Sequence, residues 1–187
     1  PSYTYSDGDI ILKTSDDVYF RVHSIILKLA SGFFRQMLDI PRAETESSDE
    51  AIPLTENSKV IAFLLDLVYP TTGTSGEDSN GVARFPRLDT LSFTWAVTNA
   101  ADKYDMPRAL AAVRAIVSNS ETLQVAPLGL YALACRWKWV DEARAASTAT
   151  LSKQILRPEN FAILRMIDSG PLCNLLELHA KRKEAIL

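Results

Sequence analysis

The chain has 187 residues, 47% of them hydrophobic and 23% charged, so it carries enough apolar material for a real core and is not disordered by composition. A formal net charge of −3 exerts no pull on DNA, RNA or an anionic membrane. No stretch approaches the roughly 18 apolar residues of a membrane span, and no signal-peptide pattern opens the chain.

The charge is uneven. Residues 1–120 carry 11 Lys+Arg against 16 Asp+Glu, and residues 121–187 carry 9 against 7, which suggests two parts with different surfaces. The two cysteines, Cys135 and Cys173, form no CxxC pair and lie in apolar helical contexts. They read as buried free thiols, and a reducing compartment, the cytoplasm and/or nucleus, is expected.

Asp9–Lys13 is short and β-prone, and Val18–Val22 alternates with the strand period, placing Val18, Phe20 and Val22 on one face. Thr14–Asp17 between them is turn chemistry, so a hairpin is expected. Short helices are expected over Ser24–Leu29 and Ser31–Leu38, the second stopped by Pro41. Ala43–Glu50 reads as a solvated acidic loop. Ala51–Leu54 reads as a short strand, held to an edge by Pro53, which cannot donate a ladder hydrogen bond. Lys59–Tyr69 is apolar almost all round, as a buried central helix is; Asn57 or Ser58 caps it and Pro70 ends it.

Thr71–Asn80 is a Gly/Ser/Thr-rich loop. A helix follows over Leu91–Tyr104 with Asp89 as its cap, then one from Pro107 with Ala109, Leu110, Val113 and Val117 inward. Further helices run from Pro127 to about Lys138, from an Asp141 cap to about Leu151, from Pro158 to Gly170, and from Pro171 onward, where Lys181, Arg182 and Lys183 suit a helix C-terminus.

The ordered pieces Ser6-Asp7-Gly8-Asp9-Ile10-Ile11-Leu12, Phe20-Arg21-Val22-His23-Ser24-Ile25-Ile26-Leu27 and Ala30-Ser31-Gly32-Phe33-Phe34-Arg35-Gln36-Met37-Leu38 resemble the BTB/POZ family, with its Asp-plus-apolar strand, "F-x-V-H-x-x-x-L" and "S-x-x-F-x-x-M". Val60–Tyr69 looks like the family's "L-L-x-x-(I/V)-Y" helix, and Ala100-Ala101-Asp102-Lys103-Tyr104-Asp105-Met106 like its "A-D-K-Y-x-(M/V)" helix. The likeness covers residues 7–118. Ala132–Trp137 and Asp141–Ala146 resemble a helical continuation of many fungal BTB proteins, similar to the start of a BACK-type region but too short for a complete one.

The resemblance implies an α+β fold, a small β-sheet (hairpin plus short strand) flanked by helices and followed by an all-α extension. The expected division is a BTB/POZ domain over 1–120 and a partial BACK-like extension over 121–187, packed on the preceding helices. It also implies a protein-interaction module with two competing roles. In one, the module is an adaptor to a cullin-type ubiquitin ligase; in the other, it is a self-associating scaffold or regulatory module. Only Pro1–Gly8 precede the first strand, too few for the strand and helix of the usual swapped dimer, so that dimer is not expected.

Candidate partner-binding residues are Met37, Leu38, Ile40, Glu44, Phe93, Tyr104, Trp137 and Trp139. The family's cullin-binding pattern, an apolar residue with Glu two positions later, is broken by Ile40-Pro41-Arg42, and Glu44 comes late; Leu54-Thr55-Glu56 has the spacing but follows the strand. Trp137 and Trp139, two apart on a helix end, should project about 200° apart, so that one packs inward and the other covers a neighbour or meets a partner. His23 is open to a base or ligand role or to a structural one at the strand-to-helix junction, where its imidazole would bond backbone groups. Asp9 is open to a charged groove or to local N–H groups, and Ser24 supplies no cation for the groove. No P-loop, GxGxxG, GxSxG or HExxH is present, so no catalytic residue, metal, cofactor or enzymatic activity is expected.

Overall fold

Alternation of apolar residues sets the sheet. A computed structural model of the chain describes residues 3–40, 50–69, 88, 90–118 and 124–185. Strands β1 (Ile10–Lys13) and β2 (Tyr19–Val22) pair antiparallel, with Ile10 opposite Val22 and Leu12 opposite Phe20. These four side chains are buried and form the sheet's inner face. The turn closes on a Thr14 N–H bond to the Val18 carbonyl at 3.0 Å, with Asp17 in the left-handed region at φ 59°. Strand β3 (Ile52–Pro53) runs parallel to β1, giving the order β2-β1-β3. Pro53 therefore lies on an edge strand, and the next residue, Leu54, donates its N–H to the Lys13 carbonyl at 2.7 Å. On the opposite edge, Arg21 donates its N–H to Tyr3 and accepts from Tyr5.

Helices α1 (Ser24–Ala30), α2 (Gly32–Asp39), α3 (Ser58–Val68), α4 (Leu91–Lys103) and α5 (Pro107–Val117) follow. Asn57 caps α3 by accepting from the Val60 N–H at 3.0 Å. Val60, Ile61, Phe63, Leu64 and Leu65 bury most of α3, the centre of this unit. Thr90 caps α4, one residue after the expected Asp89. Asp89, Pro41, Pro70, the acidic stretch through residue 49 and the loop 71–80 lie outside the described residues.

The chain divides into two units, Pro1–Arg114 and Ala115–Leu187, and the division falls within α5. In the second unit, α6 (Pro127–Arg136) is buried from Pro127 through Ala134 and packs on α7 (Val140–Thr150). A 3₁₀ turn (Pro158–Asn160) leads into α8 (Phe161–Leu164), and α9 (Ser169–Glu184) follows.

Three expected boundaries move. Helix α6 stops at Arg136, because Lys138 takes φ 57° and Trp139 donates back to the Ala134 carbonyl at 2.8 Å, a left-handed C-terminal cap. Asp141 lies inside the first turn of α7, whose N-cap is Trp139. Gly170 and Pro171 lie in the first turn of α9 rather than ending and starting helices; there the missing proline N–H has no intrahelical partner to lose.

Candidate functional site

The junction of α1 and α2 is built around Ser31, which is fully buried. Its N–H closes α1 on the Leu27 carbonyl at 2.9 Å, and its hydroxyl oxygen accepts from the Phe34 N–H at 3.0 Å, capping α2. The same hydroxyl donates to the carbonyl of Tyr104, at the C-terminus of α4. Next to it, Gly32 donates its N–H to the Asp105 carbonyl at 2.9 Å. A Cβ at Gly32 would fall 1.7 Å from the Asp105 carboxylate, so this approach requires glycine unless that side chain moves. The start of α2 is thus fastened to the corner between α4 and α5.

Fastening α2 in this way divides its apolar residues. Phe34 is buried and stacks on the Tyr104 ring at 5.2 Å between centroids. Phe33 and Met37 are one helical turn apart on another face, and Ile40 follows the helix as its C-cap, with extended backbone. Phe33 rests its ring against Phe34 and Tyr104 yet is 40% exposed; Met37 is half-buried, and Ile40 is 68% exposed. On α1, Ile25 and Leu29 stand one turn apart at 66% and 73% exposed.

A model of the BTB/POZ domain matches residues 4–121 of the chain. The chain belongs to the BTB/POZ family. A BTB/POZ domain is a protein–protein interaction module. No curated protein matches the chain.

Within the BTB/POZ unit the expected partner-binding residues separate. Met37 and Leu38 sit half-buried on α2, and Ile40 is its exposed C-cap. Phe93 is half-buried edge-on to Phe63 at 5.6 Å. Tyr104 is 2% exposed and is a packing residue: its ring is covered by Phe33 and Phe34, and its hydroxyl donates to Glu56. Glu44 lies outside the described residues.

Glu56, which carries the displaced apolar-x-Glu spacing, is internal bracing. It accepts from Lys103 at 2.9 Å and from Tyr104. Burial pushes its carboxyl up, but the Tyr104 and Lys103 contacts outweigh that and hold it below the usual carboxylate range. Burial, then the bond to Glu56, pushes the Tyr104 phenol well up.

Asp9 serves local groups, accepting from the Ser24 N–H at 2.7 Å and from the Ser24 hydroxyl at 2.5 Å. Partial burial opposes its ionisation, yet these two bonds keep its carboxyl below its ordinary value. His23 binds through its ring to a side chain rather than to backbone. Its backbone N–H donates to the Tyr69 hydroxyl at 2.8 Å, that hydroxyl lies 3.1 Å from the ring Nδ1, and Nε2 faces Asp7 at 3.3 Å. Tyr5 stacks on Tyr69 at 5.1 Å beside it. Among the described residues no three His, Cys, Asp or Glu side chains are grouped to hold a metal.

In the second unit, Trp139 is buried and Trp137 half-buried, with ring centroids 6.3 Å apart. The rings do not diverge as two positions of one helix would, because the left-handed Lys138 turns the chain between them. The thiols also depart from expectation: Cys135 is half-buried and Cys173 exposed. The exposed pair on α1 was missed from sequence, although the spacing of Ile25 and Leu29 was a usable signal.

Proposed function

We propose that this BTB/POZ chain is an adaptor that binds a cullin-type ubiquitin-ligase scaffold through an apolar row, Phe33 and Met37 on α2 and Ile40 at its C-cap, while another surface holds a client. It acts by binding rather than catalysis, in the cytoplasm and/or nucleus. The observation that supports this reading is the exposure of Phe33 and Ile40, at the start and just past the end of a helix fixed to the α4–α5 corner through Ser31 and Gly32. A rigid apolar row costs little ordering on binding. The test is calorimetry of the purified chain with a purified cullin N-terminal region. Saturable binding is expected, and Ile40→Asp should weaken it at least about tenfold, or about 1.4 kcal/mol. No binding, or binding indifferent to Ile40→Asp, rejects the reading.

The second reading, a self-associating module, is favoured by Ile25 and Leu29 on α1. It expects a concentration-dependent dimer in sedimentation equilibrium that Leu29→Asp dissociates. A monomer at every concentration rejects it.

A further inference from the structure

The second unit carries an open groove of about 710 Å³ between the segment Leu151–Arg157 and the later turns of α9. Its floor is aliphatic: Leu151, Ile155, Leu156 and Leu176 line it, with Leu156 65% exposed and Leu176 36% exposed. Its polar lining includes four cations, Lys153, Arg157, Arg182 and Lys183, beside His179, and no Asp or Glu lines it.

Cations at the end of α9 complement its helix dipole, and that accounts for Arg182 and Lys183. It does not account for Lys153 and Arg157, which reach the same groove from a different segment. Arg157 is held in place, with its Nε donating to Gln154 at 2.8 Å and a guanidinium nitrogen 3.7 Å from Glu159. Lys181, which pairs with Glu177 at 2.7 Å, does not line the groove. Among the described residues, Lys153, Arg182 and Lys183 have no carboxylate in ion-pair reach.

We infer that this groove docks a short acidic, leucine-type segment of a partner protein. Apolar side chains of that segment seat on Leu151, Leu156 and Leu176, and its carboxylates meet Lys153, Arg157 and Arg182. The aliphatic floor has no complement in a nucleic-acid backbone, and no Phe, Tyr or Trp lines the groove for base stacking. The inference goes beyond the adaptor reading, and its test contains no cullin, so the two fail separately.

The test is fluorescence anisotropy of the full chain with a fluorescein-labelled peptide of alternating leucines and glutamate pairs. Saturable binding that weakens as salt rises is expected. The double variant Lys153→Glu/Arg182→Glu should bind at least about tenfold more weakly, an effect of about 1.4 kcal/mol. Both side chains are exposed, and an unchanged melting temperature verifies the fold. Leu156→Lys tests the floor independently and should also weaken binding. A peptide with lysine in place of glutamate, or serine in place of leucine, should not bind. No saturation up to about 1 mM, equal binding of the lysine peptide, or undiminished binding by the double variant overturns the inference. Tighter binding of a thymidine oligonucleotide than of the acidic peptide also overturns it and assigns the groove to nucleic acid.

Discussion

Ser31→Ala isolates the joint that presents α2. The substitution removes two bonds at once. Loss of the N-cap to the Phe34 N–H costs about 1 kcal/mol, within a range of roughly 0.5–2. Loss of the hydroxyl donor leaves the Tyr104 carbonyl without that partner in a fully buried place, at about 1–3 kcal/mol. Together they predict about 2–4 kcal/mol. Thr90→Ala is the control, because Thr90 caps α4 by the same bond, from the Phe93 N–H at 3.2 Å, but is exposed. It should cost only the cap. Thermal unfolding read by hydrogen exchange over Gly32–Ile40 follows the unit that holds Ser31, and for a chain of this size the predicted loss lowers the melting temperature by about 5–15 °C. If Ser31→Ala costs no more than Thr90→Ala, the buried bond to Tyr104 does not hold α2 in place.

Glu56→Gln should destabilise the protein at neutral pH, and the gap to wild type should close under acid. The folded carboxyl lies below its usual 4.5, so its contribution is complete above that value and is lost as pH falls through the lower folded value; a gap that persists unchanged at pH 3 in urea unfolding refutes the assignment. Lys138→Gly should stabilise by roughly 0.5–1 kcal/mol, since glycine adopts φ 57° without the Cβ penalty but loses more entropy on folding; a lower denaturation midpoint would contradict the cap geometry. Iodoacetamide should alkylate Cys173 well before Cys135, because Cys173 is exposed while burial, set against the Tyr131 hydrogen bond, pushes the Cys135 thiol up; peptide mapping that finds Cys135 modified first refutes it.

What the sequence disclosed followed from periodicity and punctuation. Alternation in Val18–Val22 marked the inner face of the hairpin, Pro53 marked the edge strand, and the unbroken apolar run of Lys59–Tyr69 marked the central helix. What it concealed lay where an unusual residue does a common residue's work. Two helices close on left-handed C-caps, α4 at Asp105 with φ 48° and α6 at Lys138 with φ 57°, and neither position is glycine. In each, the following residue donates back to the carbonyl five positions earlier: Met106 to Ala101, and Trp139 to Ala134, both at 2.8 Å. Without the glycine signal, the sequence pattern extends α6 two residues too far and sets the tryptophans apart on one helix. Tyr104 shows the same limit from the other side. A tyrosine at a helix end has the composition of a binding residue, and only tertiary geometry shows that Phe34 covers its ring and Glu56 takes its hydroxyl. Packing uses Phe34 and Tyr104, bracing uses Glu56 and Lys103, and the large apolar residues that the fold leaves exposed on α1, on α2 and at its C-cap are Ile25, Leu29, Phe33 and Ile40.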